Sequence, residues 1–308
     1  MASLLTNGSA MTALQNLTAT IRKLDETQTR ISSGLRVGKA EDNAAYWSIA
    51  TTMRSDTGAL STVKDALGLG SATIDVAYTG MNSAIEAVKE IKNKLVAARQ
   101  PGVDRDKIQS EITELQRQLV SIGSTSVFSG ENWISVDSSQ AGYSDTKTIV
   151  ASFSRSNGEI AIGTITVSIQ TMKLYDAADQ SGILDLKDTA TNGGVEYSVA
   201  TLNIAALTNS QADIEDLEQM IAWVDGAVSK MTDSAASLGA VKQRVTLQQD
   251  FVSSLMDAIT RGVGTLVDAD MNEESTRLQA LQVQQQLGIQ SLSIANQNSQ
   301  NILALFKG

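Results

Sequence analysis

An uninterrupted seven-residue repeat of apolar side chains runs through the second half of the chain. Its positions are Leu217, Val224, Met231, Leu238, Val245, Val252 and Ile259. Such a repeat is typical of a helix that packs lengthwise against other helices. At a rise of 1.5 Å per residue the helix is about 70 Å long, so it needs partner helices along its length to be stable. The repeat therefore predicts an elongated helical architecture.

Further long helices are expected because the chain contains a single proline, Pro101. The first is predicted over 8–34, where apolar residues follow a 3,4 spacing; they are Leu14, Leu17, Ile21, Leu24, Ile31 and Leu35. A second helix is predicted over about 45–98, and Pro101-Gly102 marks the turn after it. Asp104 is placed to cap a third helix, which is expected to end at Gly123. The helical pattern is interrupted within 261–275, and a last helix is predicted from about 270 to 306.

The middle of the chain follows a different pattern. Two runs rich in β-branched residues flank Asn157-Gly158, the strongest short signal of a β-hairpin. A further strand is predicted at 195–204. The predicted fold class is therefore mainly α, with a small α+β or β domain inserted at 134–210. The helical arms on either side are expected to pack antiparallel into a long-helix rod.

Composition excludes several classes of function. The chain has 34 acidic and 24 basic residues, and its net charge of −10 argues against binding to nucleic acid or an anionic membrane. It contains no cysteine and no histidine, which removes most zinc, copper and haem sites and His-dependent nucleophilic catalysis. No segment is long and apolar enough for membrane insertion, and no cleaved signal peptide is recognisable. Carboxylate-only or Lys-based chemistry stays open, but no paired-carboxylate pocket, zinc motif or phosphate loop stands out, so we expect no enzymatic activity, no cofactor and no metal.

Both ends of the chain lack charged side chains. None occurs from Leu278 to Phe306, and the first from the N-terminus is Arg22. Helix faces that contact water normally carry Lys and Glu. One interpretation is a Gln/Asn-biased tail without fixed structure. The other is that these faces are covered by protein in an assembly, where neutral polar groups are cheaper to bury than charges.

Four acidic residues lie near the start of the last predicted helix. Asp268, Asp270, Glu273 and Glu274 could indicate a cation site. Acidic side chains also accumulate at helix N-termini, because they accept hydrogen bonds from unpaired N–H groups there. The second interpretation needs no ligand.

Three stretches resemble bacterial flagellin, of the type found in rhizobia and other α-proteobacteria. Residues 31–50 read ISSGLRVGKAEDNAAYWSIA, and residues 126–133 read SVFSGENW. Residues 266–306 read LVDADMNEESTRLQALQVQQQLGIQSLSIANQNSQNILALF. The resemblance covers nearly all of 1–133 and about 211–308, and the middle of the chain adds nothing to it.

The resemblance implies a structural subunit of the extracellular flagellar filament, which is used for swimming. Such subunits are exported unfolded by a type III apparatus and polymerise at the filament tip. The expected partners are other copies of the chain, with or without other flagellins in its filament, together with the export apparatus, the filament cap and the hook-junction proteins. A hook–filament junction protein and a coiled-coil signalling rod are the alternative functions.

The resemblance also implies a division of labour along the chain. Residues 1–44 and 266–308 would form an inner tube, 45–133 and 211–265 an outer tube, and 134–210 a variable surface domain. Inner-tube contacts would come from Leu14, Leu17, Ile21, Leu24, Leu281, Leu287, Leu292, Ile302 and Phe306. Gly34, Arg36, Asp42 and Asn43 would lie in an inter-domain spoke that contacts other subunits. The outer-tube core would hold Leu217, Val224, Met231, Leu238, Val245 and Val252.

Overall fold

The computed structural model describes residues 7–156 and 158–307, with side-chain surroundings up to residue 297. Five helices lie within these residues: α1 (Gly8–Ser33), α2 (Ala44–Ala98), α3 (Arg105–Thr125), α4 (Gln211–Val267) and α5 (Met271–Lys307). The chain divides into a terminal unit, residues 1–58 with 256–308, and a central unit, residues 59–255. Both α2 and α4 continue from one unit into the other.

The strands between α3 and α4 are mostly short. They are β1 (Val127–Phe128), β2 (Glu131–Asn132), β3 (Ser135–Val136), β4 (Thr146–Ser156), β5 (Glu159–Ser168), β6 (Tyr175–Asp176), β7 (Asp188–Thr189) and β8 (Glu196–Tyr197). They form four two-stranded sheets, in which β1–β2, β4–β5 and β7–β8 are antiparallel and β3–β6 is parallel. The predicted hairpin is confirmed by β4 and β5; its predicted turn residue Asn157 lies outside the described residues.

Side-chain and backbone caps define most helix ends. The Asn7 side chain accepts a hydrogen bond from the N–H of Ala10 at the start of α1, and Gly34 ends that helix with a φ of 73°. Glycine adopts this left-handed conformation at little cost, which suits it to a helix C-terminus. Asp104 caps α3 as predicted, through the N–H of Lys107. Except at the end of α4, the helix limits agree with the sequence prediction to within a residue or two.

In the central unit α2 and α4 run antiparallel. Ion pairs join Asp75 to Lys242, Lys92 to Asp225 and Arg99 to Glu218, so residue numbers rise along one helix as they fall along the other. These pairs are largely exposed and contribute little stability. The core between the helices is apolar and holds the predicted repeat: Leu217, Val224, Met231, Leu238, Val245 and Val252 are each no more than 1% exposed. Burial of this kind stabilises by about 1.5 to 3 kcal/mol per side chain.

One predicted helix end is wrong. The third helix ends at Thr125, within two residues of the predicted Gly123, and Gly123 lies beside the ring of Tyr175, whose Cδ2 would be 3.0 Å from an added Cβ. The fourth does not break at Arg261 but continues through two glycines to Val267. Val263 and Val267 are buried there against Val37, and this packing outweighs the cost of about 1 kcal/mol for each helical glycine.

The strand predicted at 195–204 is also wrong beyond β8. Leu202 and Ile204 are buried, yet their backbone groups pair with side chains of α3 and with backbone groups of nearby turns, not with a strand. The Gln116 side chain donates to the carbonyl of Leu202 at 3.1 Å, and the N–H of Ile204 donates to the Gln109 side chain at 2.9 Å. Apolar, β-branched residues therefore indicate a buried segment here, but not a strand of a sheet.

A buried ion pair holds the segment between β5 and β7. Lys173 Nζ lies 2.7 Å from Asp176 Oδ2, and both side chains are at most 3% exposed. Asp176 also accepts hydrogen bonds from the N–H groups of Ser138 and Ala178. Burial opposes ionisation of Asp176, but Lys173 and these N–H groups outweigh it and hold the pKa of this carboxyl well below its ordinary value of 3.8.

We predict that Asp176→Asn strongly destabilises the central unit. Removing one partner of a buried pair leaves the Lys173 charge uncompensated and costs about 3 to 5 kcal/mol. Because folding lowers the pKa of Asp176, its ionised carboxylate stabilises the folded state at pH values above 3.8. This stabilisation is lost as the pH falls from 3.8 through the lower pKa of the folded state. Urea unfolding between pH 7 and pH 2, with hydrogen exchange of residues 134–186, measures both effects. The variant should lose this part of the acid dependence.

Glu159→Gln is the matched control, since it neutralises an exposed carboxylate at the hairpin tip. Its free energy of unfolding should stay within about 0.5 kcal/mol of the unmodified chain. Equal stabilities of the Asp176 variant and this control at pH 7 would contradict the assignment.

Candidate assembly surface

The terminal unit is built on the antiparallel pairing of α1 with α5. Asn7 Nδ2 donates to the carbonyl of Ala295 at 2.9 Å, and Arg30 Nη1 donates to Glu274 Oε1 at 3.3 Å. Between these ends Leu17 lies against Gly288. Residue numbers thus rise along α1 as they fall along α5, as predicted for the two arms.

Each helix turns one narrow stripe toward the other. The less exposed positions of α1 are Ala10, Ala13, Leu17, Thr20, Leu24, Thr27 and Ile31. Those of α5 are Glu274, Leu278, Leu281, Gln285, Gly288, Leu292 and Ala295. Both sets alternate steps of three and four residues, which is the spacing of two helices packed along their length. Many of these residues are small, which lets the two backbones approach closely.

A second apolar line on each helix remains uncovered in the single chain. On α1 it comprises Met11, Leu14 and Ile21, which are 45–58% exposed. On α5 it comprises Val283, Leu287 and Ile294, which are 55–61% exposed. The steps of 3, 4 and 7 residues place each set on one helix face. Single exposed apolar residues are common, whereas aligned ones indicate an interaction surface.

The residues predicted for inner-tube contacts are thus divided between two faces. Leu17, Leu24, Leu281 and Leu292 belong to the stripes between α1 and α5, whereas Leu14, Ile21 and Leu287 lie on the uncovered lines. The side chains of Ile302 and Phe306 lie outside the described residues. The predicted single stripe on α1 is therefore wrong in one respect. The pairing face is completed by small residues that do not belong to the pattern of large apolar side chains: Ala10, Ala13, Thr20 and Thr27.

Charge is concentrated at one end of the α1–α5 pair. Arg30 Nη2 lies 2.6 Å from Glu26 Oε1, and Arg277 Nη2 lies 2.7 Å from Glu273 Oε1. Both arginines also contact Oε1 of Glu274, whose side chain is only 6% exposed. The Oε2 atom of Glu274 has no hydrogen-bond partner among the described residues. Two cations therefore compensate this buried carboxylate and fix the register of the helices.

Three of the four acidic residues that could have indicated a cation site form hydrogen bonds or ion pairs within the chain. Asp270 accepts hydrogen bonds from the N–H groups of Asn272 and Glu273, at 2.8 and 3.3 Å. Glu273 and Glu274 form the ion pairs with Arg277. Over the described residues, no group of three acidic, His or Cys side chains is arranged to hold a metal ion. The helix-capping interpretation accounts for Asp270.

The residues predicted for the spoke shape the connection from α1 to α2. After Gly34, the backbone N–H of Arg36 donates to the carbonyl of Val267 at 2.7 Å. The guanidinium of Arg36 donates to the carbonyl of Leu266. Asp42 accepts hydrogen bonds from two N–H groups of the turn before it, and Asn43 caps α2 through the N–H groups of Ala45 and Tyr46. Arg36 and Asp42 nevertheless remain accessible to solvent.

The first turns of α2 present a further apolar surface. Ala50 is buried in a cluster with Val37 and with Val263 and Val267 of α4. Close to Ala50 on the same helix, Tyr46, Trp47 and Ile49 are 38–45% exposed. Aromatic residues with this exposure are frequent at protein interfaces. The spacing of apolar residues alone did not single them out.

Over the part of the chain that the structure describes, no helix combines the length and apolar character needed to cross a membrane.

Comparison with known proteins identifies similar chains. The model of the bacterial flagellin N-terminal helical region matches residues 4–138, and that of the bacterial flagellin C-terminal helical region matches residues 221–306. Flagellin C of Rhizobium meliloti strain 1021 is 51% identical, and Flagellin A of the same strain is 43% identical. A flagellin of Brucella melitensis is also 43% identical. In all three comparisons both chains are covered in full.

We predict that Gly288→Val weakens the pairing of α1 with α5. A Cβ at this position would already lie 3.2 Å from Cδ1 of Leu17, so the larger side chain forces the helices apart. Overpacking of this kind costs about 1 to 3 kcal/mol. Amide hydrogen exchange in α1 should therefore accelerate by roughly tenfold or more.

Gly262→Val is the control, because it makes the same change in α4 where an added Cβ meets nothing within 4 Å. Adding Leu17→Ala to Gly288→Val should restore part of the protection in α1. Equal exchange in the two valine variants would show that Gly288 does not govern the contact.

Proposed function

Because the chain belongs to the bacterial flagellin family, we propose that the uncovered apolar lines of α1 and α5 join its copies in a filament. The chain is a structural subunit of the extracellular flagellar filament and polymerises with itself. The proposal concerns which residues carry the assembly. The observation that supports it best is that Leu14, Ile21 and Leu287 are more than 40% exposed although they lie on helices already paired.

Energetic reasoning supports the same assignment. Aligned apolar side chains that face water make no contribution to folding, but their burial against another copy would favour association. Beyond Arg277, the part of α5 whose side-chain surroundings are described carries no charged side chain, so covering it requires no desolvation of ions. Neutral Gln, Asn and Ser side chains on the remaining faces can hydrogen-bond to neighbouring subunits or line a channel.

The division into tubes is part of the proposal. Residues 1–44 and 266–308 form the inner tube, 45–133 and 211–265 the outer tube, and 134–210 the outward-facing domain. In the outer tube, the buried positions Leu217, Val224, Met231, Leu238, Val245 and Val252 stabilise the subunit itself. Arg36 and Asp42 remain available for contacts to neighbouring subunits, while Gly34 and Asn43 set the local backbone.

The remaining partners follow from the flagellar function. We propose that the chain passes unfolded through the flagellar export apparatus and joins the filament beneath its cap. The filament itself would begin at the hook-junction proteins. Chains of related flagellins could share its filament. Flagellins are a structural family, and we propose that this subunit has no catalytic role. A cysteine-free chain is compatible with export in an unfolded state, because it forms no disulfides.

We predict that Leu14→Ser together with Ile21→Ser raises the critical concentration for assembly and leaves the isolated subunit folded. Each half-exposed side chain loses about 1 kcal/mol of burial in the polymer, which together amounts to about a 10- to 100-fold rise. Circular dichroism checks the subunit, and sedimentation with electron microscopy after addition of filament seeds measures the critical concentration.

Val195→Ser serves as the control, since this residue is 60% exposed in the insert and lies outside both uncovered lines. Its critical concentration should equal that of the unmodified chain. An unchanged value for the double variant, or the same rise in the control, would refute the assignment of these faces.

A further inference from the structure

The β4–β5 hairpin has two free edges. The strands pair with each other from Thr146–Ser168 to Ser156–Glu159 and form a sheet of two strands. Among the described residues, no other strand pairs with the outer edge of either one. Each edge therefore presents a row of backbone N–H and C=O groups that can pair with a further strand.

The half of the hairpin nearest the tip is also uncovered on its faces. Near the base, Ile149, Ile165 and Val167 are at most 6% exposed, and Ile149 packs onto Gly70 of α2. Beyond a bulge between Val150 and Ser152, Phe153 is half-buried and the described residues nearer the tip are exposed. Ile160 and Ile162, two residues apart and therefore on one face, are 56% and 63% exposed.

Strand β4 carries a bulge and two cations, which are devices that protect an edge strand, whereas β5 lacks most of them. Strand β5 contains no proline, and its only charged residue is Glu159. An exposed edge that is long and apolar favours pairing with another strand. Two strands alone are marginally stable in water, so a third strand would stabilise the tip.

Charge selects among the ways in which two copies could pair. Strand β4 carries Lys147 and Arg155, whereas β5 carries Glu159. Two parallel β5 strands would align their Glu159 side chains, and two antiparallel β4 strands would bring Arg155 of one copy toward Lys147 of the other, which is already paired with Glu131. Like charges directly opposite one another are destabilising. Placing β5 of one copy beside β4 of the next brings Glu159 near Arg155 instead.

We propose that the outer edge of β4 pairs antiparallel with the outer edge of β5 in a neighbouring copy. This inference rests on the proposed function, because a filament presents many copies of the hairpin in equivalent orientations. A contact between two different edges repeats from copy to copy and forms an open helix unless the rotation between copies closes a ring, so it is compatible with a helical polymer. Backbone hydrogen bonds provide the attraction, and Ile160 and Ile162 add apolar contacts along the extended sheet.

Cysteine cross-linking tests the contact, because the chain has no cysteine of its own. Ser154 and Ala161 are exposed and lie directly opposite each other within one hairpin. Ser154→Cys and Ala161→Cys are therefore placed on separate chains, which are mixed, assembled on filament seeds and oxidised mildly. Neighbouring strands bring opposed side chains within reach of a disulfide. Non-reducing electrophoresis and mass spectrometry should reveal dimers joined through the two introduced cysteines.

The mixed filaments should yield several-fold more dimer than filaments of either variant alone or than dilute unassembled mixtures. If microscopy shows filaments and the mixed yield does not exceed these controls, the inference is overturned and the proposed function stands. Greater dimer yield in filaments of one variant alone would establish symmetric pairing and also overturn it. If the unmodified chain forms no filaments, the proposed function fails and the inference fails with it.

Discussion

A single partner helix can cover only one stripe of another helix. In the terminal unit this limit determines which apolar residues of α1 and α5 are covered. The pairing of α1 with α5 uses a narrow stripe in which alanine, glycine and threonine alternate with leucine and isoleucine. Close approach of the backbones at Gly288 makes this stripe sufficient. The larger residues Leu14, Ile21 and Leu287 are consequently left on other faces. The isolated subunit is thus folded and yet retains apolar surface that a polymer can bury.

The central unit solves a different problem, namely how to attach an insert to long helices. Its helices share an apolar core, but most strands of the insert are only two residues long. Ion pairs and hydrogen bonds of buried polar groups therefore hold much of the insert in place. The buried Asp176 and Lys173 join segments around β6, and the buried Asp216 of α4 accepts the N–H groups of Asn192 and Gly193, each at 3.0 Å. Such contacts specify one arrangement for a domain with little sheet.

The helices were predictable from the sequence because their apolar repeats are long and regular. Asn7 and Asp104 mark helix starts through ordinary capping chemistry. One error arose where tertiary packing outweighed local preference, at the glycines near the end of α4, and another where buried residues of a loop resembled a strand, at Leu202 and Ile204. The candidate surface was predicted only in part, since a list of large apolar residues does not reveal which line is covered. Small residues such as Ala13 and Thr20 decided that question, and no charge or size signal drew attention to them.

Electron cryomicroscopy of filaments reassembled from the purified chain tests the central claim most directly. The reconstruction should retain the antiparallel pairing of α1 with α5 and place Leu14, Ile21 and Leu287 in apolar contact with neighbouring subunits. Filaments in which these three side chains face the central channel or the outer solvent would contradict the account.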